Sequence, residues 1–264
     1  MTRRRLDDEM VRRGLVERPE QARDAVRSGL VTVGGAPATN PGTLVGGDEP
    51  VWLAEDGQAF ASRAGGKLAA ALERFGLDVS GRDCLDAGAS TGGFTDCLLR
   101  AGARRVAAVD VGYGQLAWQL RTDPRVTVLE RTNVRALTPE LVGFRPQVVT
   151  VDLSFMSVRT ALPALVEVSG PEARLVVLVK PQFEVGRRVV GKGGVVRDAL
   201  EWRRVLGEVV DAATLLGAPA AVAMASPLPG PAGNVEFLLG LVRGGRSAAD
   251  LDAAVAEGER VRRR

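Results

Sequence analysis

From residue 62 onward, short apolar runs alternate with longer amphipathic segments, and this alternation constrains the fold more than any other feature. Seven runs have strand character, at 83–86, 105–110, 126–129, 147–152, 174–179, 220–225 and 236–242. Helical patterns lie between most of them, at 67–75, 93–101, 115–122, 158–168 and 199–216. Repeated strand–helix units require a mainly parallel sheet that is covered by helices on both faces. We therefore expect an α/β domain with a Rossmann-like, seven-stranded sheet.

The first 60 residues follow a different pattern, with short helical and strand-like stretches. The helical stretches are 6–13 and 19–28, and the strand-like stretches are 30–33 and 51–54. Pro19 suits a first helical turn, Gly29 suits a helix end, and Gly34-Gly35 suits a hairpin turn. We predict a small α+β domain at 1–57, a linker at 58–61, the α/β domain at 62–246 and a C-terminal helix or tail at 247–264.

The charge of residues 1–60 is distributed unevenly. This part holds eight arginines against ten aspartates and glutamates, a net charge of −2, and all eight arginines lie within the first 27 residues. Any basic face here therefore belongs to the two predicted helices, and an ordinary solvated helical face is the alternative. The whole chain carries +3 with a pI near 9.3, which permits an anionic partner without requiring one.

The absence of histidine excludes several classes of enzyme. Ser-His-Asp and Cys-His hydrolases, histidine-ligated metal enzymes and histidine phosphotransfer all need this residue. Cys84 and Cys97 are too few for a zinc site or a disulfide framework, so we interpret them as buried and reduced in a cytoplasmic protein. No apolar stretch approaches the ~18 residues of a membrane helix. The N-terminal ten residues lack the apolar core of a secretory signal.

A glycine-rich loop follows the first predicted strand of the α/β domain. Gly88, Gly92 and Gly93 allow the backbone to pass close to a ligand where a β-carbon would collide. Asp86 lies near the carboxyl end of that strand, and Asp110 ends the next strand 24 positions later. This spacing is near the ~20 residues at which an acidic side chain accepts hydrogen bonds from ribose hydroxyls. The loop therefore predicts a cofactor that contains a nucleoside.

Two cofactors fit this loop, S-adenosylmethionine and NAD, and a glycine-rich turn without a ligand is a third interpretation. The run reads G-x-S-T-G-G at 88–93 rather than G-x-G-x-x-G, which counts against NAD. Asp86 would also lie poorly beside a pyrophosphate, whereas it suits a cationic amino-acid group. We therefore favour S-adenosylmethionine.

Residues 186–192 match the spacing of a phosphate-binding loop, but this match is misleading. Gly193 stands where such a loop needs a serine or threonine to bind Mg²⁺. We interpret 184–197 instead as a flexible, basic loop that faces the substrate.

Four charged residues lie at predicted strand ends or helix starts around one edge of the sheet. They are Lys67 at a helix start, Asp152 and Lys180 at strand ends, and Glu236 at the start of the last strand. Lys180 follows five apolar strand residues, which is an unusual place for a surface lysine. There it could steer or accept the proton of a ribose 2′-hydroxyl during in-line attack on a sulfonium methyl group. Structural ion pairing among the four residues is the alternative.

Eight motifs spread over residues 85–237 form a characteristic set. They are LDAGASTGGFTD (85–96), AVDVGYGQLAW (108–118), RTDPRV (121–126), LERTN (129–133), DLSF (152–155), VKPQFEVG (179–186), GGVVRD (193–198) and SPLPGPAGNVEF (226–237). The set resembles the TlyA family of ribosomal RNA 2′-O-methyltransferases, historically labelled haemolysins. The resemblance covers nearly the whole chain. It implies a Rossmann-like, FtsJ-like methyltransferase domain preceded by an alpha-L type RNA-binding domain.

The resemblance implies that the protein uses S-adenosylmethionine to methylate the ribose 2′-hydroxyl of cytidine in ribosomal RNA, on the large subunit and in some members also the small one. The Lys-Asp-Lys-Glu tetrad of the family matches Lys67, Asp152, Lys180 and Glu236. Lys180 would steer or accept the proton, Asp152 would orient Lys180, and Lys67 and Glu236 would position the hydroxyl. A sulfonium methyl is already activated, so no metal is required. We expect ribosomal subunits as partners, no membrane association and a monomer or weak oligomer.

The expected ligand contacts form two further groups. The cofactor group is Asp86, Gly88, Ala89, Ser90, Thr91, Gly92, Gly93, Asp110, Asn133 and Asp152. Within it, Asp86 and Gly88 would contact the methionine part and Asp110 the ribose. The RNA group is Arg3, Arg4, Arg5, Arg18, Arg23, Arg63, Arg187, Arg188 and Lys192.

Some positions depart from the family pattern. Arg18-Pro19 stands where relatives usually have Ser-Arg, and Asn40 stands where a lysine is common. In the linker, Gln58 and Phe60 replace a familiar arginine and tryptophan. These departures concern RNA docking rather than catalysis.

Two other functions remain as alternatives. A non-catalytic RNA-binding or assembly factor would tolerate loss of the tetrad, yet all four residues are present. A membrane-lysing protein would need an amphipathic or spanning segment, and it is disfavoured.

Overall fold

The structure, a computed structural model, describes residues 3–27, 30–33, 36–47, 49–53, 60–186 and 189–263. The chain divides into two compact units, Met1–Ala64 and Gly65–Arg264. This boundary lies close to residue 62, where the sequence pattern changes.

The first unit combines two helices with short strands. The helices are α1 (Leu6–Arg12) and α2 (Pro19–Arg27), and the strands are β1 (Arg4–Arg5), β2 (Val31–Val33), β3 (Ala36–Pro37), β4 (Leu44–Val45) and β5 (Val51–Leu53). β2 pairs antiparallel with β3 and β5, and β1 pairs antiparallel with β4. Leu6, Met10 and Val26 are buried at its centre. The predicted helices are confirmed to within a residue, whereas the β1–β4 pair is too short to leave an alternating pattern in the sequence.

The second unit contains the remaining helices and strands. They are α3 (Ala64–Arg74), β6 (Asp83–Ala87), α4 (Gly93–Arg100), β7 (Arg105–Val109), α5 (Trp118–Arg121), β8 (Val126–Leu129), α6 (Pro139–Val142), β9 (Val148–Val151), α7 (Leu162–Val168), β10 (Arg174–Val179), α8 (Pro181–Glu184), α9 (Ala199–Leu215), β11 (Ala220–Ala225), β12 (Phe237–Val242) and α10 (Leu251–Arg262). Short 3₁₀ turns lie at Val134–Ala136, Val158–Thr160 and Lys192–Gly194. The predicted α/β class is confirmed.

The seven strands of this unit form one sheet in the order β11-β12-β10-β9-β6-β7-β8. Neighbours from β10 to β8 are parallel, whereas β12 is antiparallel to both β10 and β11. The sequence order reverses beside β6, which lies between β7 and β9. Open α/β sheets bind ligands at such a switch point, outside the carboxyl ends of the strands.

Burial on both faces explains the continuous apolar runs of the central strands. Leu175, Val177 and Val179 of β10 are buried in a core that also contains Trp202 of α9 and Phe237 of β12. The rings of Trp202 and Phe237 lie 5.7 Å apart between centroids. Each fully buried Val, Leu or Phe side chain stabilises the fold by roughly 1.5–3 kcal/mol, before the entropy of ordering it is counted.

Two predicted helices are shorter than expected. In the stretch 158–168, a 3₁₀ turn covers Val158–Thr160 and α7 begins at Leu162, where Pro163 suits a first helical turn but cannot donate a hydrogen bond within a longer helix. In the stretch 115–122, only Trp118–Arg121 is helical. The backbone N–H of Ala117 donates instead to the carbonyl of Thr91 at 3.2 Å, which ties this segment to the glycine-rich loop.

The C-terminal part of the predicted loop at 184–197 is hydrogen-bonded to the rest of the second unit. The side-chain oxygen of Asn234 accepts a hydrogen bond from the N–H of Val196 at 3.0 Å, and its amide donates to the carbonyl of Gly194 at 2.9 Å. Trp202 adds a hydrogen bond from its ring N–H to the carbonyl of Val196 at 3.0 Å. Residues 187 and 188 of this loop lie outside the described part of the chain.

Candidate active site

A cavity of about 310 Å³ opens beyond the carboxyl ends of β6, β7 and β9. Its walls are Gly88, Ser90, Val109, Asp110, Val111, Gly112, Gln115, Thr132, Val134, Asp152, Leu153, Ser154, Phe155 and Met156. The volume lies at the lower end of the ~300–1,000 Å³ that small-molecule sites occupy. The cavity is therefore the candidate cofactor site, at the switch point that the strand order creates.

The glycine-rich loop packs directly against the end of β9 at Gly88. Gly88 has a φ of +90°, and a β-carbon there would lie 2.3 Å from the carbonyl oxygen of Asp152. Any other residue would collide with backbone, so glycine is required for this close approach. The approach places the loop and Asp152 on the same wall of the cavity.

Asp110 joins the glycine-rich loop to the end of β7. One carboxylate oxygen accepts a hydrogen bond from the N–H of Ser90 at 2.8 Å, and the other accepts one from the N–H of Gly112 at 2.7 Å. A carboxylate offers about four acceptor sites, so both oxygens can accept further hydrogen bonds from ribose hydroxyls. Asp110 thus has the location predicted for a ribose contact.

Asp86 lies beneath the loop rather than in the cavity wall. Its side chain is fully buried, and it accepts hydrogen bonds from the hydroxyls of Thr95 at 2.7 Å and Thr150 at 3.1 Å. Burial raises the pKa of Asp86 to about 7, although these hydrogen bonds oppose the shift. Asp86 therefore supports the glycine-rich loop from the interior of the sheet, and its contact with the methionine part remains a prediction.

Asp86→Asn tests the raised pKa of this carboxyl. Because the folded pKa is above the unfolded value, the folded state resists ionisation, and wild-type stability should fall relative to the variant as pH rises from about 4 to 7. The relative change should reach about 2–4 kcal/mol, at about 1.4 kcal/mol per pH unit. Urea unfolding of both proteins across this pH range measures it. A stability difference that does not vary with pH would contradict the prediction.

Lys180 and Asp152 form an ion pair at the edge of the cavity. The Lys180 Nζ lies 2.6 Å from Oδ1 of Asp152, and the two side chains are 12% and 17% exposed. The contact is an ion pair without a hydrogen bond, since the buried Oδ1 has no hydrogen-bond partner among the described residues. Lys180 instead donates a hydrogen bond to the hydroxyl of Ser154 at 2.9 Å. The ammonium is thus held between a carboxylate and a hydroxyl that both line the cavity.

Lys67 and Glu236 form a second, more deeply buried pair. Lys67 Nζ donates to Oε2 of Glu236 at 2.5 Å, and the side chains are 5% and 1% exposed. Lys67 is the fourth residue of α3 rather than its first, and Glu236 precedes β12. The two residues are 169 positions apart in the sequence.

The sheet brings both pairs to one edge. Asp152 follows β9, Lys180 follows β10 and Glu236 precedes β12, and β10 lies between the other two strands. The antiparallel register of β10 with β12 continues to place Lys180 beside Glu236. Because side chains alternate along each strand, these three residues lie on one face of the sheet. Helix α3 covers that face, since Lys67 reaches Glu236 from it.

Phe155 stands out from the cavity wall as a large exposed aromatic. It is 91% exposed and has a φ of +66°, a conformation that bulky residues rarely adopt. Its ring centroid lies 5.4 Å from that of Phe183, which follows Lys180 by three positions. Strained residues of this kind cluster at ligand sites.

The predicted cofactor residues divide into two sets. Gly88, Ser90, Asp110 and Asp152 line the cavity, whereas Asp86, Ala89, Thr91, Gly92, Gly93 and Asn133 do not. The side chain of Asn133 accepts a hydrogen bond from the N–H of Arg135 at 3.0 Å and begins a 3₁₀ turn. Sequence reasoning missed Gln115, Thr132, Ser154 and Phe155 as cavity residues. Ser154 and Phe155 belong to the DLSF motif, and this motif could have identified both residues as part of the site.

The predicted RNA-contacting residues lie in both units. Arg3, Arg4, Arg5 and Arg18 are exposed, and Arg23 and Arg63 are partly buried. Arg187, Arg188 and the side chain of Lys192 lie outside the described residues. Across the described ranges, no group of three or more His, Cys, Asp or Glu residues is arranged to hold a metal ion. In the same ranges, no helix has the length and apolar character needed to cross a membrane.

Two family profiles match the two parts of the chain. The S4 domain profile matches residues 4–51, and the FtsJ-like methyltransferase profile matches residues 60–243. The second match spans the whole cavity wall and all four residues of the two Lys–acid pairs.

Whole-chain comparisons give the same assignment. The chain is 52% identical over 240 residues, 90% of either protein, to the 16S/23S rRNA (cytidine-2′-O)-methyltransferase TlyA of Mycobacterium tuberculosis. It is 43% identical over 238 residues, 90% of this chain and 85% of the relative, to the candidate rRNA methyltransferase YqxC of Bacillus subtilis. The solved structure of a candidate haemolysin from Streptococcus thermophilus superposes on this chain with a TM-score of 0.77 at 36% sequence identity. The superposition covers 99% of this chain and 97% of the other. The chain therefore belongs to the TlyA family, with an S4 domain followed by an FtsJ-like methyltransferase domain.

Proposed function

We propose that the protein transfers a methyl group from S-adenosylmethionine to the ribose 2′-hydroxyl of cytidine in ribosomal RNA. The observation that carries this proposal is the pair of Lys–acid contacts on one face of the sheet, beside the candidate cofactor cavity. Both ribosomal subunits are candidate substrates, because the Mycobacterium tuberculosis relative is named for 16S and 23S RNA. A non-catalytic RNA-binding protein would have no use for an ion pair lining a cofactor cavity.

The residues of the cavity fit S-adenosylmethionine. Gly88 leaves space where a β-carbon would collide, and Asp110 offers oxygens to ribose hydroxyls. Asp152 places a carboxylate in the cavity wall, and although its Oδ1 is already ion-paired with Lys180, the second oxygen adds negative charge on the side of a cationic ligand group. These three residues are the ones expected to hold it.

The chemistry divides between the cofactor and two residues of the chain. When bound, S-adenosylmethionine supplies a methyl group whose C–S bond breaks as the new O–C bond forms. Lys180, whose Nζ is held by Asp152 and Ser154, steers the attacking 2′-hydroxyl as an ammonium. If it also accepts the hydroxyl proton, it does so as a neutral amine that has first released its own proton to solvent, and it becomes an ammonium as the O–C bond forms. Asp152 orients Lys180 and balances its charge.

The buried pair has a positioning role in this scheme. Glu236 lies next to Lys180 by extension of the β10–β12 register, and Lys67 contacts Glu236 from α3. Both side chains of the pair are almost inaccessible to water. A buried, hydrogen-bonded pair keeps its geometry, because neither side chain has another way to satisfy its charge. The pair would therefore position the hydroxyl indirectly, by fixing α3 and the start of β12 beside Lys180.

Recognition of the RNA is assigned to the first unit and to Phe155. The exposed arginines of the S4 domain suit contacts with phosphates, and Phe155 offers a ring face at the mouth of the cavity. Enzymes that act on a nucleotide within folded RNA extrude it from its stack and hold the base against aromatic side chains. Phe155 is placed to hold the target base in this way.

Phe155→Ala should lower kcat/KM for RNA by about 5- to 100-fold, because stacking on an aromatic side chain contributes about 1–3 kcal/mol per base. The loss of affinity for S-adenosylmethionine should be smaller than this loss, although Phe155 lines the cavity, because its side chain is 91% exposed. Phe155→Tyr keeps a stacking face and should retain most of the activity. Methylation kinetics and calorimetry of cofactor binding measure the two effects. Equal activity of the alanine and tyrosine variants would contradict a stacking role.

The proposed function is tested by transfer of labelled methyl from S-adenosylmethionine to ribosomal subunits that lack this modification. Label on a ribose 2′-oxygen of cytidine is the expected result, and mapping it identifies the target. Measurable cofactor binding without label on either subunit would overturn the ribosomal substrate.

A further inference from the structure

Asp7 of the first unit is a fully buried carboxylate that joins three elements. Arg5 of β1 makes a bidentate contact with it, from Nε to Oδ1 at 3.0 Å and from Nη2 to Oδ2 at 2.9 Å. Arg23 of α2 donates from Nε to the same Oδ2 at 3.0 Å. One carboxylate of α1 therefore holds two guanidinium groups side by side.

Both arginines are half-exposed and have N–H donors that take part in no hydrogen bond among the described residues. The side chains of Arg5 and Arg23 are 51% and 43% exposed. A guanidinium has five N–H donors, and the contacts with Asp7 use two from Arg5 and one from Arg23. The remaining donors form an array whose net charge, including Asp7, is +1.

The other buried carboxylate of α1, Glu9, has a different arrangement. It contacts Arg12 and Arg13, but Arg13 is only 19% exposed and also donates to the carbonyls of Gly46 and Glu49. Arg13 is therefore committed to holding the unit together. Among the described residues of the first unit, only the Asp7 cluster presents two half-exposed arginines on one carboxylate. In the second unit Asp83 holds Arg104 and Arg105 in a similar way, but it lies at the first residue of β6, at the opposite end of this strand from the cavity.

We propose that Asp7 is a positioning residue that orders Arg5 and Arg23 into one binding site for a backbone phosphate of RNA. The inference rests on the proposed function, which supplies the RNA partner. Arginine binds phosphate through planar, directed N–H groups. Two long side chains that are already ordered lose less conformational entropy on binding. A carboxylate in the centre of the site therefore strengthens the binding of an anion.

The test compares two variants that each remove one negative charge from the same unit. Asp7→Asn removes the ordering carboxylate. Asp24→Asn removes an exposed one, since Asp24 and Arg27 are 74% and 72% exposed and 3.4 Å apart. Binding of the full chain to an unmodified 23S ribosomal RNA transcript is measured over a range of salt concentrations. Simple electrostatics predicts tighter binding for both variants.

The expected results have opposite signs. Asp24→Asn should bind up to about twofold more tightly, whereas Asp7→Asn should bind about tenfold more weakly, with a salt dependence reduced by about one phosphate contact. Tighter binding by Asp7→Asn, as by Asp24→Asn, would overturn the inference and leave the proposed function standing. A wild-type chain that binds no ribosomal RNA even at low salt would overturn both.

A second variant keeps the inference testable if Asp7→Asn does not fold. Arg5→Lys/Arg23→Lys keeps the net charge but loses the planar donors. This variant should bind the RNA about tenfold more weakly, because lysines lack the planar donors that Asp7 orders in the two arginines. Unchanged affinity in this variant would show that charge alone is recognised, and would overturn the site. Circular dichroism and thermal unfolding establish that each variant is folded.

Discussion

Lys180→Ala should reduce methyl transfer by about 10²- to 10⁴-fold, which is the range for loss of a group that handles the proton in the transition state. Lys180 touches Asp152 at 2.6 Å and Ser154 at 2.9 Å, and both partners line the cavity, where water can replace the ammonium. The fold should therefore persist. Single-turnover methylation of ribosomal subunits measures the loss, and calorimetry measures cofactor binding.

Two further variants distinguish the possible roles of Lys180. Lys180→Arg keeps a donor near Asp152 but cannot accept a proton, so substantial residual activity would indicate steering rather than proton acceptance. Ser154→Ala removes one partner of Lys180 and keeps the ion pair, and should cost about tenfold or less. Wild-type turnover in Lys180→Ala would rule out any role of this residue in the reaction.

Glu236→Gln should destabilise the second unit by about 3–5 kcal/mol and abolish methylation. Lys67 is 5% exposed, so removal of the negative charge leaves a buried ammonium without a counter-charge. Chemical denaturation measures the loss of stability. A Glu236→Gln variant as stable as wild type would show that Lys67 reaches water by a small rearrangement.

A paired replacement separates stability from catalysis. Lys67→Met/Glu236→Leu substitutes apolar side chains for both charges, and such replacements are often neutral or stabilising by about 1–4 kcal/mol. We expect this protein to regain the stability lost in Glu236→Gln and to remain inactive. Restored stability together with restored activity would assign the pair a structural role only.

Features that depend on neighbouring residues along the chain could be predicted from the sequence. The strand runs are recognisable because both faces of the sheet are buried, as in Leu175, Val177 and Val179 of β10. Gly88 and Asp110, which line the cavity, could be placed together at strand ends because the spacing between strand ends is a local property. Lys180 was identified because a charge directly after an apolar run marks the end of a buried strand.

Other features depend on which elements meet in space. Asp86 lies near a strand end, and its hydrogen bonds to Thr95 and Thr150 could not be foreseen, because sequence position does not reveal the direction of a side chain. Asp7 and Arg23 are 16 positions apart, and only the packing of α1 on α2 brings them together.

The sequence by itself therefore determined the α/β class, the glycine-rich loop and the four charged residues. Tertiary structure decided how those four residues pair, because strand order and the path of α3 join Lys67 to Glu236 across 169 positions. Hydrophobic periodicity specifies which face of each element is buried. It does not specify the neighbouring element, which results from packing all of the elements around one core.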